Sequence, residues 1–287
     1  MDMTQLDTFI DCPAKFGYRF NLNKGEHTLA VPLDTGILAH TGEEAYYNEL
    51  AESRDWVRAV DKGLTAVRIQ AADSSDLPPE DTTRVLEVLE ESWTIWKYKD
   101  LSYEILAVEK PFAFILYEDE QMKITIIGKI DLLVNEPPSY FGIPIDHKTF
   151  RRDFPLRRIR NQFCCYSYAM QSPYLFVNRL GLAKSIGVGN KRSTKPEDRH
   201  TRFPLSYDAL YWEQWKRNTV KWIFMYYDCI QEDSWPMNPT SCDKYGRECE
   251  YYKVCDTSGE DNKTYKLNTF FKDTEPWDVS KALMKKD

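Results

Sequence analysis

Residues Gly128 to Phe150 read "GKIDLLVNEPPSYFGIPIDHKTF", two apolar runs around a proline-bearing turn, and each run carries an acid. Opposed residues of an antiparallel hairpin share a constant sum, so a turn centred between Pro138 and Ser139 sets Asp131 directly opposite Asp146. Their Cβ atoms would then lie about 5 Å apart. Lys148 follows Asp146 by two residues and projects from the same face, because the side-chain period of a strand is two. Ile130, Leu132, Ile143 and Ile145 take the other face, toward the core. A slip of one residue would separate the acids, so the site rests on this register. Paired carboxylates repel unless a cation or a proton lies between them, and oxygen ligands suit Mg²⁺ or Mn²⁺. Such an ion orients and polarises a phosphate and lowers the pKa of a bound water. An ammonium beside it stabilises charge growing on the phosphorus oxygens. An ordinary solvated face carrying Asp146 and Lys148 is the competing reading of the strands taken alone. Glu109, in "AVEKPF", is a candidate further acid near the same ion, against the plainer reading of a strand-edge glutamate.

The chain has seven cysteines, an odd count that fits paired disulfides poorly. Cys242, Cys249 and Cys255 form a C-x6-C-x5-C pattern, and Cys12 in "FIDCPAKF" is the best candidate for a fourth thiolate. Four thiolates suit a [4Fe–4S] cluster. They also suit zinc, whose cysteine ligands usually come as two close pairs. Buried free thiols are the third reading. Cys164, Cys165 and Cys229 are expected in the core, with Cys229 the reserve ligand.

From His147 to Arg160, "HKTFRRDFPLRRIR" sets Lys148, Arg151, Arg152, Arg157, Arg158 and Arg160 against Asp153 alone. Such a patch on a chain of net charge -7 can hold backbone phosphates beside the acids while the rest of the surface limits nonspecific binding. A solvated loop is the alternative. A second basic stretch runs from Lys184 to Arg202.

The elements that must position these residues follow from pattern. Residues 4–20 read as a short helix interrupted at Pro13, and Gly36 to about Gln70 as a long helical stretch with Gly42 and Gly63 inside it. "SSDLPPED" is a loop, and a helix from about Asp81 to Tyr98 places Val85, Leu86, Leu89 and Trp93 at core spacing. Three strand-like runs begin at Tyr103, a helix covers about Leu156 to Met170, and two short extended pieces lead to a helix at 206–232. The last 28 or so residues read as an ordered polar tail. Helices, three strands, a helix, strands and a helix indicate one α/β domain with an N-terminal helical insertion.

Four motifs in order, "GILAH" ending at His40, "GKID" ending at Asp131, "IDHKT" with Asp146 and Lys148, and "QFCCY" from Gln162 to Tyr166, resemble the PD-(D/E)XK nuclease superfamily in its RecB-like branch. Gln162 and Tyr166 are i and i+4 and share a helix face. The resemblance implies a restriction-endonuclease-like core, a central mixed sheet flanked by helices. It implies Asp131 and Asp146 as metal ligands, Lys148 as the catalytic lysine, and His40 and the backbone carbonyl of His147 as further ligands. Gln162 and Tyr166 would position the DNA or the lysine. Here Ile130 stands where a proline often precedes the first acid, and the second acid is Asp rather than Glu. One N-terminal and three C-terminal cysteines resemble the iron–sulfur members, of AddB and CRISPR-adaptation exonuclease type. That implies a [4Fe–4S] cluster on Cys12, Cys242, Cys249 and Cys255 stapling the chain ends, though C-x6-C is wider than their usual pair.

With 287 residues, 42% hydrophobic and 29% charged, the chain has material for one large domain. That domain is expected to divide into a helical lobe at about 21–100, a core at 101–205 and cluster-bearing ends at 1–20 and 206–265. No apolar run follows a basic start and none approaches a membrane span, so a cytoplasmic protein is expected. The resulting expectation is an Mg²⁺- or Mn²⁺-dependent exonuclease on single-stranded DNA or duplex ends, in DNA repair, recombination, CRISPR adaptation or phage DNA processing. Partner proteins or self-assembly would accompany those roles. A non-catalytic DNA-binding scaffold with this fold and a zinc-stapled protein of unrelated function are the rivals.

Overall fold

The computed structural model describes every residue except 28–30, 74–76, 137–140, 152–155, 189–190, 245–246, 277 and 279–287. The turn expected at Pro138–Ser139, and Arg152 and Asp153, fall outside the described residues. In chain order the first main elements are α1 (Met3–Asp11), α2 (Val31–Ser53), α3 (Trp56–Ala72), α4 (Pro79–Ser102), β1 (Glu104–Glu118) and β2 (Lys123–Asn135). Then come β3 (Ile143–Phe150), α5 (Asn161–Ala169), β4 (Tyr174–Gly181), β5 (His200–Ser206), α6 (Ala209–Glu232) and α7 (Glu260–Phe270). The strands form one five-stranded mixed sheet in the order β1-β2-β3-β4-β5. Strands β2 and β3 pair antiparallel, β3 and β4 parallel across α5, and β4 and β5 antiparallel. The fold is α/β, as expected. Among the described residues no helix is long and apolar enough to cross a membrane.

The chain divides into two compact units. The larger, Ala30–Phe112 and Lys129–Ala209, holds α2 to α5 and most of the sheet. Its core joins Leu38, Leu50, Val67, Val85, Leu89 and Trp93 of the helices to Leu132, Val134, Ile143, Ile145 and Leu180 of the strands. The helical stretch expected from Gly36 to about Gln70 is two helices, α2 and α3. Arg54 takes a left-handed φ of 56°, and Asp55 restarts the chain as α3 by accepting the N–H groups of Val57 and Arg58. The Arg54 guanidinium pins this corner to the carbonyls of Leu101 and Tyr103. Gly42 and Gly63 break nothing; they mark where α2 and α3 cross. A Cβ on Gly63 would come 3.0 Å from the Gly42 carbonyl and run into Trp93.

Strand β5, "HTRFPLS", is absent from the sequence expectation and carries Pro204. It lies at the sheet edge, where a proline is tolerated. Its Arg202 forms a buried ion pair with Asp100 of α4 at 2.8 Å, and Tyr46 and Tyr47 donate their hydroxyls to the same carboxylate. The helix expected from Leu156 begins only at Asn161, because Arg157–Arg160 is taken up in a turn.

The smaller unit, Met1–Leu29, Ala113–Gly128 and Leu210–Met284, gathers both ends of the chain. Helix α1 is closed by a capping box between Asp2 and Gln5. It packs Phe9 edge-on against Phe16 and against Tyr226 of α6. Residues Lys24–Gly25 pair with Lys272–Asp273. The polar tail contains α7, whose Leu267 joins Tyr251, Val254 and Phe271 in a small core.

Gly63→Ala gains about 1 kcal/mol of helix propensity, but forces a methyl onto a backbone carbonyl and a fully buried tryptophan, an overpacking that costs about 1–3 kcal/mol. The overpacking wins, because neither neighbour can withdraw. Urea titration should therefore show a less stable protein.

Candidate functional site

Strands β2 and β3 pair Leu132 with Ile145, Leu133 with Pro144 and Val134 with Ile143. This is the expected register, and one step further it brings Asp131 opposite Asp146. There the Asp131 carboxylate accepts the backbone N–H of His147 at 2.8 Å. Ile130, Leu132, Ile143 and Ile145 are all buried, as expected.

Three elements of the larger unit converge on Asp131. From α2, His40 places Nδ1 3.6 Å from Asp131 Oδ2. From β1 comes Glu109, and ligand atoms of His40, Glu109 and Asp131 all lie within 4.8 Å of one another. Glu109 has a φ of 49° inside a strand, a left-handed conformation that strains a residue with a Cβ. Lys129 lies 3.4 Å from its carboxylate. Burial and then the Asp131 charge push the Glu109 carboxyl up.

Asp146 is wholly buried. One of its oxygens accepts from Lys148 Nζ at 2.9 Å, and Oδ2 has no hydrogen-bond partner. The two aspartates are unequal. Burial works against the charge on Asp131, but His40, Lys148 and the backbone N–H of His147 outweigh it and hold its carboxyl below the ordinary range. Burial pushes Asp146 up, Lys148 opposing and Asp131 adding. Burial would strip the Lys148 proton, but both aspartates keep the ammonium charged. On α5, Gln162 donates to the Tyr166 hydroxyl at 2.9 Å. Tyr166 is buried edge-on against Phe112, close enough to both aspartates that they add to burial in raising its pKa.

The His147 ring points away from Lys148 into a buried polar cluster that sequence reasoning missed. Its Nδ1 lies 3.0 Å from Asn178 Nδ2, on the opposed residue of β4, and 3.5 Å from Glu43 Oε1. Burial pushes Glu43 up to about 8 and His147 down to about 3, so both are neutral at pH 7. Trp93 donates its indole N–H to Glu43. Two signals were available: Glu43 is i+3 from His40, and Asn178 interrupts an apolar strand.

Of the arginines, Arg151 pairs with Asp81 of α4, and Arg157, Arg158 and Arg160 are exposed. Arg160 is near enough to Lys148 for its charge to act there.

Cys12, Cys242, Cys249 and Cys255 all belong to the smaller unit, but among the described residues only His40, Glu109 and Asp131 bring ligand atoms within 4.8 Å of one another. Cys12 breaks α1 from the Pro13–Phe16 turn with an extended backbone, φ -161°. The Cys249 N–H donates to the Cys242 carbonyl at 2.7 Å. Cys255 Sγ lies 4.0 Å from the Tyr18 hydroxyl. Burial pushes the Cys255 thiol up, and nearby Cys12 and Cys242 add to the effect. Burial also raises Cys249, to about 11, with Cys255 contributing. The segment around Cys12 is tied to the C-terminal region by ordinary hydrogen bonds: Ala14 N–H to Pro236, and Asn238 and Ser241 to the Asp11 carbonyl. Cys164 and Cys165 are buried in α5, and Cys229 is half-buried on α6.

Glu109→Gly releases the left-handed strain, worth about 1–2 kcal/mol, against about 0.5–1 kcal/mol of glycine entropy. The metal-free melting temperature should therefore hold or rise, while the upward shift produced by added Mn²⁺ should shrink. Differential scanning calorimetry with and without the ion measures both.

No curated protein matches the chain. Among solved structures, the "Crystal structure of SSO0001" matches at 12% identity over 65% of this chain and 73% of that one, with a TM-score of 0.29. Residues 2–256 match the family model of the PD-(D/E)XK nuclease superfamily, and it is to this superfamily that the chain belongs.

Proposed function

We propose that this protein is a deoxyribonuclease dependent on Mg²⁺ or Mn²⁺, acting as an exonuclease on single-stranded DNA or duplex ends. The observation that carries the reading is the meeting of His40, Glu109 and Asp131 beside the Asp146–Lys148 pair. The residues fit a divalent ion: the donors are mostly carboxylate oxygens, and Asp146 keeps a buried oxygen without a partner. Asp131, Asp146, His40 and the His147 carbonyl would hold the ion, with Glu109 completing the set. Bound there, it would polarise the scissile phosphate and acidify a water.

The chain's own groups do the rest. Lys148, held protonated by two aspartates, neutralises charge on the phosphorus oxygens as the water oxygen bonds to phosphorus. The phosphorus–oxygen bond to the leaving nucleotide then breaks; the attacking water gives up a proton to solvent, and the leaving oxygen takes one from solvent. Gln162 and Tyr166 orient Lys148 and the strand. Arg151, Arg152, Arg157, Arg158 and Arg160 hold the flanking phosphates.

Cys12, Cys242, Cys249 and Cys255 are the ligands of a structural [4Fe–4S] cluster. What supports this is their number and their nearness: behind burial, Cys12 and Cys242 act on the Cys255 thiol and Cys255 on Cys249, and four thiolates suit such a cluster. The hydrogen bonds around Asp11 give the cluster a preformed seat.

Lys148→Ala should reduce Mn²⁺-dependent digestion of linear DNA about 10²–10³-fold, as expected for losing one charge-stabilising donor. Absence of cleavage by wild type with any divalent ion, or equal cleavage by the variant, would overturn the reading. Circular substrates left intact would establish the need for an end. An anaerobic preparation should be coloured and contain iron and sulfide, and Cys255→Ser should lose both. A colourless, iron-free preparation sinks the cluster.

A further inference from the structure

The turn that leads into α5 carries a residue for which hydrolysis has no use. Arg157 to Arg160 close a β-turn through the Arg160 N–H and the Arg157 carbonyl at 3.1 Å, and the Arg160 carbonyl then accepts from Cys164 at the start of α5. At the tip Ile159 is 71% exposed. A lone exposed isoleucine is ordinary on a protein surface, but three circumstances set this one apart. Turn tips favour Gly, Asn, Asp and Ser, so local structure gives no reason for a β-branched apolar residue. The tip is also pinned, because the neighbouring Arg158 carbonyl accepts the hydroxyl of buried Tyr207 at 3.0 Å. Tyr207 is itself anchored through its N–H to Pro173 at 2.8 Å. And the turn belongs to the site: it follows the strand of Lys148, and Gln162 lies three residues beyond Ile159.

We propose that Ile159 is a wedge that enters the end of a DNA duplex, displaces the terminal base pair from its stack and leaves one strand free to reach Asp131 and Lys148. The substrate class is then the paired DNA end, frayed by the nuclease itself. The inference rests on the nuclease reading above. An apolar side chain inserted at a base step unstacks it, and a terminal pair, stacked on one side only, opens most easily. The arginines on both sides grip phosphates without regard to sequence, so their hold supplies the force that seats the wedge.

The test uses the full chain on three linear substrates: a single strand, a blunt duplex and a duplex with splayed, unpaired ends. Ile159→Ala should keep cleavage of the single strand and the splayed end within about twofold and lose about tenfold or more on the blunt duplex, since only that substrate requires unstacking. Ile159→Leu should restore it. In a binding assay with Ca²⁺ in place of Mn²⁺, 2-aminopurine at the terminal pair should brighten with wild type and less with Ile159→Ala. Equal loss on all three substrates, no loss on any, or a wild type that spares blunt ends overturns the wedge. If wild type cuts no DNA at all, the nuclease reading fails, and the fluorescence still decides whether Ile159 opens an end.

Discussion

The carboxylate of Asp131 accepts the N–H of His147, and this bond fastens an acid on one strand to the backbone between the second acid and the lysine of the next. A carboxylate is spent on a position where a backbone carbonyl could have continued the ladder. The gain is rigidity, because Asp131 cannot rotate away from Asp146 without leaving a buried N–H unmet. A one-residue slip of β3 would move Asp146 and Lys148 to the opposite side and carry the His147 ring out of its buried cluster. The hydrophobic pairs Leu132–Ile145 and Val134–Ile143 resist that slip, so core packing and site geometry enforce the same register.

Helix α2 supports this arrangement with polar contacts as well as through the apolar core. His40, Glu43 and Tyr47 recur at helical spacing and meet Asp131, His147 and the Asp100–Arg202 pair in turn. The electrostatics differ along this line. Glu43 and His147 are neutral, since two isolated buried charges would each cost several kcal/mol. Asp100 and Arg202 are ionic, and tyrosine hydroxyls with the faces of Trp96 and Tyr103 share the guanidinium and carboxylate. Along this helix the buried charge thus falls on the Asp100–Arg202 pair rather than on Glu43 and His147.

The hairpin register could be read from the sequence because its two acids and its apolar pairs point to one alignment. The grouping of His40, Asp131, Asp146 and Lys148 was legible from motif order, and Glu109 from its strand. Three things were not. The corner at Arg54 depends on carbonyls of Leu101 and Tyr103, far along the chain, which no local window contains. Strand β5 carries Pro204, whose tolerance depends on its being an edge strand. Glu43 and Asn178 each look like a surface residue alone, and only the closure of α2 and β4 over His147 gives them partners. In each case the missing information was tertiary.

The smaller unit has a consequence for how the protein is made. Lys24 pairs with Asp273 and Tyr251 donates to the Lys24 carbonyl, so this segment waits for residues up to 249 positions further along the chain. The larger unit draws on residues up to Ala209 and can form while the remainder is still being translated. Contacts of such sequence separation close slowly. Until they do, Phe9, Phe16 and the thiol of Cys12 stay exposed to solvent. A nascent chain therefore passes through an interval in which its cysteines are open to oxidation and to stray metal ions, and a reducing surrounding during synthesis favours the correct product.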